Sequence, residues 1–270
     1  MTLCFATVAP DSREELKTAV EECIKVSPVG NCAKGTHGPI GQWDVSHVTD
    51  MSELFKGAAS FNADISNWDV SAVMYASNMF QGATSFNADI SKWKVSRVIS
   101  MDGMFDGATS FNADVWNWDV SSVTTMRSMF GNARSFKGDV SKWDVTRVTD
   151  MASMFKGATS FNADISKWTV SSVRTMHDMF NGANAFSRTL CGAWIDGGAT
   201  TTDMFKGSSG GFCFGQSFVV NDKNSVTKLV HTHVHNTAYA LPPLHAFRYF
   251  DKNMLLWVCF HGSAKVKIGA

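Results

Sequence analysis

The chain has 270 residues, enough to bury a sizeable core, and its 24 basic and 24 acidic side chains leave a net charge of +0. That balance gives no footing for nucleic-acid or polyanion binding through bulk charge. No run of about 18 apolar residues occurs, which argues against a membrane-spanning helix, and the opening "MTLCFATVAP" lacks the positive n-region and full h-region of a signal peptide.

Residues 1–42 read as a helical cap. Ser12 followed by Glu15 is a capping-box pattern, and it opens a predicted helix running to about Lys25. The apolar stripe Leu16, Ala19, Val20, Cys23 and Ile24 is placed to cover whatever follows, as an exposed edge requires. Cys23 and Cys32 bracket the short loop "IKVSPVGN" and can pair. Cys4, Cys191, Cys213 and Cys259 make neither a C-x-x-C nor a zinc spacing and read as unpaired.

From residue 43 to 207 the chain repeats itself. Trp43, Trp68, Trp93, Trp118, Trp143 and Trp168 are each 25 residues apart, and Trp194 follows after 26. Phe55, Phe80, Phe105, Phe130, Phe155, Phe180 and Phe205 keep the 25-residue beat without a slip. A fixed period in this range marks an array in which each unit packs only on its neighbours. Six full units and a partial seventh are present.

Each unit divides into two halves. Val48, Met51, Leu54, Phe55 and Ala58 fall within an arc of about 120° at helical spacing, which predicts a short helix. Ser46, Ser71, Ser96, Ser121, Thr146 and Ser171 are its expected N-caps. Gly57, Gly82, Gly107, Asn132, Gly157, Gly182 and Gly207 are its expected left-handed stops, Asn being the next-best residue there. In the second half Phe61, Ala63 and Ile65 alternate with Asn62, Asp64 and Ser66, which predicts a strand with Ile65, Ile90, Val115, Val140 and Ile165 in its β-branched column. One strand and one helix per unit make an α/β solenoid, a right-handed coil with a parallel sheet on one side. Stacking then places identical side chains above one another, which favours repeated residues whatever the activity.

Residues 208–270 share no column with the repeats. They open on the Gly/Ser run "GSSGG" and read as a C-terminal cap, a different small module or poorly ordered chain. His231, His233 and His235 alternate in "VHTHVH" and would share one strand face, where three imidazoles can hold Zn²⁺ or Cu²⁺. No second shell is evident, so no metal or cofactor is assigned.

Within the array, Asp64, Asp89, Asp114, Asp139 and Asp164 form an acidic ladder. Calcium is one way to relieve its repulsion, but calcium takes six to eight oxygens and the column supplies one carboxylate per unit. An Asx-turn to the residue two positions on fits better. Lys92, Lys142 and Lys167 share a column with Asn67 and Asn117, and Arg97 and Arg147 share another with His47, Ala72, Ser122 and Ser172. They form a solvent-facing basic stripe, serving solubility or binding an acidic protein or glycan. No catalytic residue is assigned, because columns of identical residues offer no special position.

The phrase "WDVSSVTTMRSMFGNARSF", with "DISKW" closing each unit, resembles the BspA-like leucine-rich-repeat surface proteins, whose units have 25–26 residues. The resemblance runs from about Gly38 to Gly207, and the lead-in "LKTAVEECIKVSPVGNCAKGTHGPIGQWDVS" looks like the cap before such arrays. It implies a leucine-rich-repeat-like solenoid, display at a cell surface or secretion, and adhesion or protein binding. It carries no catalytic residues. The expected molecule is a monomeric, non-catalytic interaction module with a protein or glycan partner. The alternative is a metal-dependent protein or enzyme whose site lies in 208–270.

Overall fold

Helix α1 (Arg13–Val26) forms where the cap pattern placed it, with the Ser12 hydroxyl accepting from the Glu15 N–H at 3.2 Å. The Glu15 carboxylate reaches back to the Asp11 N–H at 3.0 Å, one residue further than a capping box requires. Leu16, Ala19, Val20 and Cys23 are buried against the first repeat. The Arg13 guanidinium donates to the Ser52 carbonyl at 3.0 Å, so a free backbone acceptor of the first unit is satisfied by the cap. Cys23 and Cys32 are disulfide-bonded, as their spacing allowed.

This is a computed structural model describing residues 9–213, 250–251, 254–257 and 267–268. The chain divides into two units, residues 1–235 and 236–270. It is a mixed α/β chain with few regular elements. The first unit holds α1, a 3-10 turn (Ile40–Gln42), β1 (Thr189–Leu190), α2 (Ala193–Asp196) and β2 (Gly211–Phe212), with β1 and β2 parallel. The second holds a small antiparallel sheet of β3 (Phe250–Asp251), β4 (Met254–Trp257) and β5 (Lys267–Ile268).

The predicted repeat helices do not form. In the third unit the N–H groups of Met101, Gly103, Phe105 and Gly107 donate to the carbonyls of Thr125, Arg127, Met129 and Gly131, at 2.7–3.1 Å. Only the alternate N–H groups of Met104, Asp106 and Ala108 bond locally, three residues back. The segment is therefore a run of turns whose other donors reach the next unit. Left-handed residues stand in the middle of the predicted helix (Glu53, Asn78, Gly103, Ser128, Ser153, Asp178 and Asp203), which no α-helix tolerates in series.

The expected strand at 61–65 is also absent. Parallel pairing runs instead through the half taken for a helix, along Asp50, Tyr75, Ser100, Thr125, Asp150, Thr175 and Thr200. The Ser/Thr column is no helix N-cap either. The N–H groups of Ser46, Ser71, Ser121 and Thr146 donate to Asp44, Asp69, Asp119 and Asp144 two residues earlier, at 3.0–3.1 Å. The stop column keeps its conformation without its helix, with φ of +74° at Gly57, +73° at Gly107 and +54° at Asn132.

The core is a set of columns. Within each unit two Phe rings stack 3.8–4.0 Å apart, as Phe105 does on Phe111. Between units the ring of Phe105 lies 5.6 Å from Phe80 and 5.7 Å from Phe130. Trp68, Trp93, Trp118, Trp143 and Trp168 each donate to a carbonyl 28 residues back, Trp118 Nε1 to Ile90 at 3.2 Å and Trp143 Nε1 to Val115 at 3.1 Å. The 26-residue step breaks this pattern: Trp194 Nε1 is buried without a partner. Cys191 and Cys213, expected to be free, are disulfide-bonded across this irregular end. Fold proximity, which spacing alone did not reveal, brings them together. Cys4 and Cys259 lie outside the described residues.

An Asn ladder runs along the outside. The Asn62 side chain accepts from the Asn87 N–H, Asn87 from Asn112, and Asn112 from Lys137, at 2.8–3.0 Å. The ladder is broken there, because Lys137 has no acceptor to offer the Asn162 N–H, and it resumes where Asn162 accepts from the Ser187 N–H at 3.1 Å. Lys137→Asn is expected to complete it and stabilise the chain by about 0.5–1 kcal/mol, read as a rise in the denaturant midpoint at unchanged slope.

Candidate binding surface

The acidic ladder has the Asx-turn geometry. Asp64, Asp89, Asp114, Asp139 and Asp164 each accept from the N–H two residues on, at 2.9–3.1 Å. The Ser66 hydroxyl and N–H hold the Asp64 carboxyl below its usual range, and Ser91, Ser141 and Ser166 do the same for Asp89, Asp139 and Asp164. Lys92 adds to the lowering at Asp64 and Asp89, Lys142 at Asp139 and Lys167 at Asp164. The lysine column therefore stands beside the ladder and offsets its repulsion. No group of three or more His, Cys, Asp or Glu among the described residues is placed to hold a metal ion.

Asp44, Asp69 and Asp144 are lowered in the same way, by the hydroxyls and N–H groups of Ser46, Ser71 and Thr146. A carboxyl whose folded pKa is depressed contributes stability above its unfolded value of about 3.9, lost as pH falls through the folded value. Asp102 runs the other way. Burial raises it, against hydrogen bonds from the Thr125 hydroxyl and the Arg127 N–H. Its ionised form therefore weighs against folding once pH exceeds its folded pKa. Melting temperature is expected to fall on acidification below about pH 4. Asp102→Asn, which keeps an acceptor, should raise it at neutral pH and lose that advantage in acid. A flat wild-type melting profile from pH 5 to 2 would contradict the lowered carboxyls, and an Asp102→Asn gain that persists undiminished in acid would contradict the raised one.

The predicted binding residues Lys92, Arg97, Lys142, Arg147 and Lys167 are all exposed. Lys92, Lys142 and Lys167 stand beside carboxylates of the Asp ladder, which offset their charge. Two features go beyond that stripe. Trp116 stands where Ser66, Ser91, Ser141 and Ser166 occupy the other units, and its side chain is 45% exposed. The Lys142 Nζ lies over its ring, 5.4 Å from the centroid, a contact worth about 0.5–1 kcal/mol at such a site. The signal was in the sequence: one aromatic in a column of serines.

The second is an open groove of about 680 Å³ late in the array, where Arg147 meets Arg174, Ser171 and Ser172 beside Gly197 and Gly198. Six units place an inward Val here (Val48, Val73, Val98, Val123, Val148 and Val173), all buried. The seventh places Gly198 at that register, so the column ends without a side chain and the space opens. Arg174 was not singled out by its column; the structure brings it to Arg147. His231, His233 and His235 lie outside the described residues.

Among the described residues no helix is long and apolar enough to cross a membrane. The family described as "Mycoplasma protein of unknown function, DUF285" matches residues 25–137 and again residues 113–212. Comparison with curated proteins and with solved structures returns no match. Together the two matched stretches span well over half of the chain and take in every repeat from Trp43 to Phe205, so this chain belongs to the DUF285 repeat family.

Proposed function

We propose that the chain is a non-catalytic binding module, a leucine-rich-repeat-like solenoid of the BspA-like kind, displayed at a cell surface or secreted, and engaging a protein or glycan through its outward columns. The unit-to-unit hydrogen bonds and stacked aromatic columns support the solenoid reading. The inward positions are spent on packing, which leaves recognition to outward positions that differ from unit to unit. Trp116 carries the argument. A serine there would supply the hydroxyl that Ser66, Ser91, Ser141 and Ser166 give their aspartates, and folding gains little from an indole half in water. A large aromatic that breaks a polar column on a rigid scaffold has the character of an interface anchor.

Trp116→Ser restores the column residue and is expected to leave the melting temperature unchanged or slightly higher. Binding of the full chain to immobilised extracellular-matrix proteins and polysaccharides should fall ten-fold or more for the ligand it recognises. The reading fails if no member of that panel binds saturably, or if binding is indifferent to the substitution.

A further inference from the structure

We infer that the groove between Arg147 and Arg174 is a site for a sulfate ester carried on a glycan. The inference rests on the binding-module reading and names a ligand class for it. Arg147 and Arg174 both line the groove, and neither side chain makes an ion pair or a hydrogen bond to another side chain among the described residues. Planar guanidinium forks suit a tetrahedral oxyanion. The column that precedes the hydroxyl turn reads Asp44, Asp69, Lys94, Asp119, Asp144 and Thr169. Of the two units that form the groove, one keeps Asp144, whose carboxylate is held by the Thr146 hydroxyl and N–H, and the next carries Thr169 in place of its Asp. The Ser171 N–H therefore lacks the Asp acceptor that Ser46, Ser71, Ser121 and Thr146 have.

The remaining lining separates a glycan ester from a bare anion. The Ser171 and Ser172 hydroxyls are uncommitted among the described residues, so they can donate. Thr124, Thr146 and Thr149 have already spent their hydroxyl protons, on the Ile99 carbonyl at 3.2 Å, Asp144 at 2.6 Å and the Thr124 carbonyl at 3.1 Å. What they still present is lone pairs, which suit sugar hydroxyls and are useless to an oxyanion. Val173 is the only branched aliphatic side chain in the lining, which is a poor seat for the apolar side chains of a peptide.

The test uses the full chain with sulfated dextran oligosaccharides, unmodified dextran, inorganic sulfate and a phosphopeptide as probes. Saturable binding of the sulfated oligosaccharide is expected, at least ten-fold tighter than of dextran and displaced by excess inorganic sulfate. The double variant Arg147→Gln/Arg174→Gln should lose ten-fold or more. Thr169→Asp, which returns a carboxylate to its column, should weaken binding as well. Arg134→Gln, an exposed arginine outside both the groove and the basic stripe, should not. The inference is overturned if the sulfated probe does not bind, if dextran binds equally, if Arg134→Gln costs as much as the double variant, or if the phosphopeptide binds more tightly. If these arms fail while Trp116-dependent binding persists, the sulfate assignment alone falls; if both fail, the binding-module reading falls with it.

Discussion

Phe105→Ala is expected to cost about 3–5 kcal/mol, the range for removing a buried aromatic ring, and to lower the melting temperature by roughly 6–20 °C for an array of this size. Phe105 is fully buried and touches rings on every side: Phe111 at 3.8 Å within its unit, Phe80 and Phe130 at 5.6 and 5.7 Å across units, and Trp118 at 6.3 Å. The units above and below are held in register by their own backbone bonds. They cannot close on the void, so most of the cavity cost remains. Phe205 makes the informative comparison. It is 9% exposed and packs on Phe180 at 5.7 Å, and among the described residues only the edge of Phe212 stands on its other side. Phe205→Ala should cost about half as much or less, because the end unit can relax. Equal losses in chemical denaturation would contradict a stack whose units depend only on neighbours.

Gly30→Ala is the other change with a large expected effect, about 2–5 kcal/mol. Two causes add. Gly30 has φ +88°, and a side chain there carries a left-handed cost of roughly 1–2 kcal/mol. A Cβ would also stand 2.5 and 2.7 Å from the Phe61 ring and 2.8 Å from the Ala63 methyl. Phe61 is fully buried and stacked on Phe55 at 4.0 Å, so it has nowhere to move. Overpacking of this kind costs typically 1–3 kcal/mol. Nor can the backbone shift freely, since Gly30 lies in the loop closed by the Cys23–Cys32 disulfide. Gly57→Ala separates the two causes. Its φ is +74°, yet nothing lies within 4 Å of the added methyl, so only the conformational cost of roughly 1–2 kcal/mol should appear. If the two variants lose the same stability, the cap loop does not press on the first Phe column.

Much of this architecture was legible in the sequence. The 25-residue beat set which residues share a column, and the buried Trp, Phe, Met and Val columns followed from it. The Gly/Asn column announced its left-handed backbone, because one Asn among glycines is what that conformation selects. The Asx-turns were legible too, since an Asp two residues before a Ser has its acceptor within local reach. Trp116 was visible as a misfit in its column, though its significance depended on learning that the column faces solvent.

What the sequence could not decide was where the backbone hydrogen bonds go. Val48, Met51, Leu54 and Phe55 satisfy helical spacing, and they satisfy equally well a chain of turns that points the same four side chains inward. The choice depends on whether carbonyls of the next unit stand within reach of Met51, Glu53, Phe55 and Gly57. Once units stack they do, at 2.7–2.9 Å. Those non-local partners, together with left-handed residues such as Glu53 and Asn78, displaced the helix. The same proximity paired Cys191 with Cys213 and brought Arg174 to Arg147. These pairs are 22 and 27 positions apart, a separation that only the packing of one unit on the next turns into a disulfide in the first case and a shared groove in the second.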